Sequence, residues 1–140
     1  PEYGGGLCQV STTVFRAALN TGLPITERKN HAYVVRYYGA PGMDATIYPP
    51  HPDLRFKNDT PANILIQGEI KGDILTFEFY GTNDGRNVKL IGPNTYDVQP
   101  NGAMKAVLYR EIYRNNELIK KDTFKSSYAS PANYPKTQFE

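Results

Sequence analysis

The sequence predicts an α+β fold in which one main N-terminal helix packs on a mostly antiparallel β-sheet, with a C-terminal β-hairpin extension. Three observations support this prediction. A helical spacing of apolar residues covers positions 7–21, strand-like alternation recurs over positions 64–128, and turn residues separate the strands. A chain of 140 residues is long enough to bury a hydrophobic core without disulfides or metal ions.

The helix is predicted over residues 7–21. Its apolar residues recur at spacings of three and four and form two adjoining stripes, one of which includes Cys8. Because apolar residues cover most of its circumference, we expect this helix to be buried. Gly22 is expected to end it in the left-handed conformation, and Pro24 prevents its continuation.

After the helix, the chain is predicted to form short strands and then a hairpin. The extended segments are expected at 25–28, 31–38, 44–48, 64–70 and 74–80. The last two are joined at Lys71–Gly72–Asp73, where glycine can adopt positive φ. Leu75, Phe77 and Phe79 alternate with polar residues, so we expect one buried face and one exposed face.

The rest of the chain is predicted to be rich in β structure. We expect a strand at 88–91, a loop at 92–103 that is rich in Gly, Pro and Asn, and a second hairpin. That hairpin consists of strands 105–113 and 117–128, joined at Asn115–Asn116, because asparagine tolerates the left-handed conformation.

The composition excludes several classes of protein. A net charge of +2, spread over both halves of the chain, excludes an electrostatic binder of nucleic acid. No apolar run approaches the roughly 18–20 residues of a membrane span. The single cysteine excludes an internal disulfide framework, and we predict neither a metal site nor a cofactor. Because the chain opens on Pro1, we expect a fragment or a processed product.

A reactive site is predicted around the one cysteine. The glycines at 4–6 place Cys8 on the first turn of the helix, where free N–H groups and the helix dipole favour a thiolate. His31 opens the first strand after the helix, and Asp44 lies on the next strand. If those strands pair, we predict Cys8 as nucleophile, His31 as base and Asp44 as the residue that orients the imidazole.

Five residues are predicted to bind substrate. They are Gly5, Gly6, Gln9, Arg28 and Tyr33. The glycines would allow a substrate backbone to approach closely. Cys8 and the glycine loop also allow a structural interpretation, in which the thiol is a small core side chain and the loop serves only packing.

Several segments of the sequence resemble the VanW-like family. They are GGGLCQVSTT at 4–13, AALNTGLPI at 17–25, ER at 27–28, His31, PGMDAT at 41–46 and DLRFKNDT at 53–60. The resemblance is dense over about residues 4–70, so we predict a VanW-like core at 1–80 and a β-rich extension at 81–140. It implies an exported protein of the bacterial cell envelope, associated with vancomycin (glycopeptide) resistance, and for some members a C-terminal G5-like module.

The order Cys, His, Asp is also similar to the transglutaminase-like and papain-like layout, which implies the same three roles for Cys8, His31 and Asp44. We therefore expect a cysteine-dependent amide hydrolase or acyl transferase that acts on peptidoglycan peptides. The alternative is a non-catalytic module that binds peptidoglycan, another cell-wall polymer, a surface protein or a second copy of itself. Tyr3, Tyr37 and Tyr38 could then stack on sugar rings. A third interpretation is an assembly element of an extracellular array.

Overall fold

The computed structural model describes residues 5–134 and confirms the α+β class. This part of the chain contains one α-helix, seven antiparallel strands and two short 3₁₀ helices. The elements are α1 Leu7–Thr21, β1 Ile25–Glu27, β2 Arg55–Phe56, β3 Leu65–Lys71, β4 Ile74–Tyr80, β5 Arg86–Tyr96, β6 Met104–Arg114, β7 Glu117–Tyr128, and the 3₁₀ helices Arg36–Tyr38 and Pro131–Asn133.

The strands over residues 5–134 form three separate sheets instead of the single sheet that the sequence predicts. The pair β1–β2, the hairpin β3–β4 and the three-stranded meander β5–β6–β7 are each antiparallel. The predicted C-terminal hairpin corresponds to β6 and β7, to which β5 adds a third strand.

The helix α1 begins and ends where the sequence predicts. Gly22 follows it with φ 76°, and its N–H bonds to the Leu19 carbonyl at 3.1 Å. A side chain is excluded there for a second reason, because a Cβ on Gly22 would lie 2.9 Å from Val88 Cγ2 of β5. The end of the helix is therefore fixed both by backbone conformation and by close packing against the C-terminal sheet.

The predicted strand at 31–38 is wrong, and so is the one at 44–48. Residues 36–38 form a 3₁₀ helix and the rest of both segments is irregular. The segment 43–46 bonds to neighbouring groups instead of a partner strand: Arg16 Nε donates to the Met43 carbonyl at 2.9 Å, and the Thr46 N–H donates to the Lys29 carbonyl at 2.8 Å. The same guanidinium donates to the Tyr38 carbonyl, so contacts with α1 hold both segments and outweigh the β propensity of their valines and tyrosines.

The predicted loop at 92–103 is wrong in its first half, because β5 continues to Tyr96. Pro93 lies where the register between β5 and β6 shifts, between Ile91 and Asn94. A register shift is the position in a sheet where a residue without an N–H is tolerated.

The core joins α1 to the C-terminal sheet. Phe15 and Leu19 of the helix are fully buried with Ala45 and with Leu108 of β6, and Phe124 of β7 packs edge-on against Phe15 at 5.9 Å. This core crosses the predicted boundary at residue 80. The division into domains at 1–80 and 81–140 stays a prediction.

The hairpin β3–β4 packs against the helix, and its half-buried face is the one that the sequence predicts to be buried. Leu75, Phe77 and Phe79 are half-buried, and the residues between them are exposed. The ring of Phe77 lies over Gly68 of β3, where a Cβ would be 3.0 Å from it.

Arg110 of β6 holds the C-terminal end of α1. Its side chain is 1% exposed, forms an ion pair with Asp122 at 2.6 Å and donates to the carbonyls of Ala18 and Leu19. These two carbonyls also accept the N–H groups of Gly22 and Leu23 beyond the helix, so the guanidinium is a second donor to each. Within residues 5–134, no helix has the length and apolar character that a membrane crossing requires.

Candidate functional site

Cys8 is the second residue of α1 and is half-buried. Its Sγ lies 3.5 Å from Thr46 Oγ1 and is placed to donate to the Ile47 carbonyl at 3.7 Å. Gly6 precedes the helix with φ 89°, and no side chain of the described part of the protein caps this end. The thiol therefore lies at the positive end of the helix dipole, beside N–H groups of the first turn.

One face of α1 holds the segment that carries Asp44. Ser11 Oγ donates to the Ala45 carbonyl at 2.6 Å, and Thr12 Oγ1 accepts from the Ala45 N–H at 3.1 Å. Positions 8, 11 and 12 share this helix face, so the contacts at Ala45 bring the next residue, Thr46, against the thiol of Cys8. The Ser-Thr pair that follows the cysteine in the sequence thus serves to dock this segment.

His31 and Asp44 lie in direct contact, although the strand pairing that was predicted to bring them together does not form. Asp44 Oδ2 accepts from the His31 N–H at 2.7 Å and contacts the ring Nδ1 at 2.6 Å. One carboxylate oxygen therefore fixes both the main chain and the ring of His31. With Nδ1–H directed at Asp44, Nε2 is the nitrogen left for the thiol proton.

The other oxygen of the Asp44 carboxylate is held by two side chains. Tyr128 donates its hydroxyl to Oδ1, and Arg28 Nη2 lies 3.3 Å from the same atom. Burial of Asp44, which is 5% exposed, raises the pKa of its carboxyl. The hydrogen bonds of His31 and Tyr128 and the charge of Arg28 outweigh that effect and lower the pKa to about 2.

Cys8 and His31 each shift the pKa of the other. Burial raises the pKa of the Cys8 thiol, but hydrogen bonding with the Ile47 main chain, with Thr46 and with His31 brings it below its ordinary value. Burial lowers the pKa of His31, but the hydrogen bonds to Asp44 and to Cys8 bring it above its ordinary value. Both directions favour a thiolate beside an imidazolium.

Tyr38 packs against the ring of His31, with the ring centroids 5.1 Å apart. Tyr38 is 8% exposed, so it is a poor platform for a sugar ring, whereas Tyr37 is 72% exposed. Burial raises the pKa of Tyr38 and keeps its hydroxyl protonated. Tyr3, the third tyrosine that we predicted to stack on sugars, lies outside the described residues.

The predicted substrate-binding residues lie in three different environments. Gly5, Gly6 and Gln9 line an open groove of about 580 Å³ between the start of α1 and the tip of the β3–β4 hairpin. Arg28 is 4% exposed at its side chain and donates to the Asp44 carbonyl at 2.7 Å, so a substrate has little access to it. The ring of Tyr33 lies 5.0 Å from that of Tyr134.

The sequence does not reveal several residues that surround the site. Thr46 could have been found because it lies two residues after Asp44, and Ser11 because it lies three residues after Cys8. Tyr38 lies in a segment that we predicted to be a strand. For Tyr128 no local signal exists, because it is 84 positions from the aspartate that it contacts.

Comparisons with known proteins match the chain to one family model and to two relatives. Residues 1–80 match the family model described as "VanW like protein". The chain is 40% identical over 80 residues, 57% of its length, to the "Uncharacterized protein YoaR" of Bacillus subtilis (strain 168), of which the match covers 26%. It is 33% identical over 108 residues, 73% of its length, to the "Vancomycin B-type resistance protein VanW" of Enterococcus faecalis (strain ATCC 700802 / V583), of which the match covers 33%.

The matches span about a quarter to a third of the length of these two relatives. No solved structure matches the chain significantly.

Proposed function

The chain belongs to the family of VanW-like proteins, and from that premise we propose that it is a cysteine-dependent amide hydrolase or acyl transferase of the bacterial cell envelope that acts on peptidoglycan peptides. The observation that carries the proposal is the bond between Asp44 and the His31 ring, on a segment whose Thr46 lies against the thiol of Cys8 at the start of α1. One relative is named for vancomycin resistance, which favours a substrate in the cell wall.

The reaction begins when His31 Nε2 accepts the proton of the Cys8 thiol. The thiolate attacks the amide carbonyl carbon, and N–H groups of the first helical turn are donors for the oxyanion. The C–N bond then breaks, the leaving amine takes the proton from the imidazolium, and a thioester with Cys8 remains.

The thioester is resolved by a second nucleophile, which gives up its proton to His31. Water yields a free carboxylic acid and makes the protein a hydrolase, whereas an amine yields a new amide and makes it a transferase. In both cases the C–S bond breaks and the thiol of Cys8 is regenerated. Asp44 keeps the imidazole in the tautomer and orientation that both steps need.

We propose that the groove beside the helix start binds the part of the substrate that flanks the scissile amide. Its lining includes Leu7 and Gln9, the chain neighbours of Cys8, but not Cys8 itself. Its exposed walls are apolar at Leu7 and Val10 of the helix and at Ile70 of the hairpin, and Asp73 adds one carboxylate at the turn. Gly5 and Gly6 bring no side chains into the groove, so an extended peptide can approach the N–H groups of the helix start.

The experiment is a digestion of purified peptidoglycan peptides in ¹⁸O-labelled water, with and without an added amine, followed by mass spectrometry. We expect the wild-type protein to produce either an acid that carries one ¹⁸O atom or an amide of the added amine. The matched variants Cys8→Ala and Cys8→Ser should produce neither while keeping the circular dichroism spectrum of the wild type. Equal product from the Cys8→Ala variant would contradict the proposal.

A non-catalytic binding module is the second candidate function. The observation that favours it is a set of exposed apolar side chains on the β3–β4 hairpin, together with the exposed ring of Tyr37. On the hairpin these are Leu65 at 61%, Ile70 at 73%, Ile74 at 68% and Tyr80 at 50% exposure. Co-sedimentation with purified cell walls tests it: binding that is unchanged by Cys8→Ser and lost in Ile74→Asp, without any turnover, would favour this function.

A further inference from the structure

The end of β7 lies against the carboxylate of the candidate site. Tyr128 is 3% exposed, and its hydroxyl donates to Asp44 Oδ1. The same hydroxyl oxygen accepts the Gly42 N–H at 2.7 Å. The hydroxyl is thus held between a loop N–H and the carboxylate, and burial together with the bond to Asp44 raises the pKa of Tyr128 to about 12, which keeps it a donor.

A second contact from β7 reaches the carboxylate through Arg28. Ser126 is 4% exposed, and its Oγ accepts from Arg28 Nη1 at 2.8 Å. The same guanidinium donates through Nε to the Asp44 carbonyl at 2.7 Å and contacts Oδ1 through Nη2 at 3.3 Å. Ser126 therefore fixes the plane of the guanidinium that fixes Asp44.

The two carboxylate oxygens of Asp44 therefore have different partners. Oδ1 is occupied by Tyr128 and Arg28, and Oδ2 accepts both the N–H and the ring Nδ1–H of His31. A carboxylate that is free at Oδ1 could rotate about its Cβ–Cγ bond, because that torsion is broad. Rotation would carry Oδ2 away from the His31 ring.

We propose that Tyr128 and Ser126 are positioning residues for Cys8: by holding Oδ1 of Asp44 they keep Oδ2 on His31, and through His31 they act on the thiol. This inference rests on the proposed function. Both residues lie outside the positions 1–80 that match the family model. The C-terminal sheet is then part of the reactive site and not only a structural support.

The experiment measures the rate at which iodoacetamide modifies the protein as a function of pH. Cys8 is the single cysteine of the chain, so the signal comes from one thiol. The variants are Tyr128→Phe and Ser126→Ala, and the matched control is Tyr113→Phe, whose hydroxyl bonds to Glu111 elsewhere on the same sheet at 2.6 Å. Circular dichroism and the thermal midpoint confirm that each variant folds.

We expect the profile of Tyr128→Phe to move to higher pH, so that the rate on the rising part of the profile falls by about threefold or more. Ser126→Ala should shift the profile in the same direction, and Tyr113→Phe should match the wild type. If Tyr128 and Ser126 had a purely structural role, their variants would have a lower thermal midpoint and an unchanged pH profile.

The outcomes separate this inference from the proposed function. Wild-type profiles in folded Tyr128→Phe and Ser126→Ala would overturn the positioning role, while a reactive wild-type thiol would leave the proposed function standing. If Tyr128→Phe does not fold, Ser126→Ala decides alone. An unreactive wild-type thiol would overturn both.

Discussion

Asp44→Asn is the substitution that disrupts the most contacts in the site, because one carboxylate binds His31, Arg28 and Tyr128. The amide keeps the size of the side chain and removes its charge. It also places an NH₂ group where one of two acceptor oxygens stood, against neighbours that are themselves donors.

The expected loss of stability follows from the charge. A carboxyl with a pKa of about 2 in place of its ordinary 3.8 stabilises the folded protein by about 2 kcal/mol at pH 7. In addition, Arg28, 4% exposed at its side chain, loses its carboxylate partner, and breaking a buried pair in this way costs about 3–5 kcal/mol. The two effects overlap, so we expect a total loss of about 2–5 kcal/mol.

The assay is urea unfolding at pH 7, with Asp73→Asn in the exposed β3–β4 turn as the matched control. The control should stay within about 0.5 kcal/mol of the wild type. The sign with pH follows from the lowered pKa of Asp44: its contribution is present above pH 3.8 and is lost as the pH falls through about 2. Acidification over that range should therefore reduce the difference in free energy of unfolding between the wild type and Asp44→Asn. A loss below 1 kcal/mol at pH 7 would refute this reasoning.

Two further substitutions test the packing and the ion pair that hold the C-terminal end of α1. Gly22→Ala should cost more than Gly72→Ala in urea unfolding, because both have positive φ but only the first would place a Cβ 2.9 Å from Val88; equal losses would contradict the close packing. Asp122→Asn leaves Arg110 buried without its ion pair and should cost about 3–5 kcal/mol in the same assay, whereas a cost below 1 kcal/mol would show that this pair does not support the helix end.

The elements that the sequence predicts well are those with local causes. The helix follows from its apolar spacing and from Gly22 and Pro24, and the β3–β4 hairpin follows from alternation and a glycine turn. The segment 31–48 could not be predicted, because side chains of α1 such as Ser11 bind its main chain and override its strand propensity.

In the site, too, features with local causes could be predicted and features that depend on long-range packing could not. The place of Cys8 on the first turn of α1 could be anticipated from the glycines that precede it. His31 and Asp44 are in contact without the strand pairing on which the prediction depended. The catalytic roles of all three residues stay a prediction. The contact of Tyr128 with Asp44 could not be anticipated, because it depends on how the C-terminal sheet packs on the helix.

The central claim is that His31 activates the thiol of Cys8, and the most direct test is the pH profile of Cys8 alkylation in the wild type and in His31→Gln. The exposed His51→Gln is the matched control. We predict that the wild type and the control share an apparent thiol pKa below the ordinary 9.0, and that His31→Gln raises it. A wild-type pKa at or above 9.0, or a profile that His31→Gln leaves unchanged, would contradict the claim.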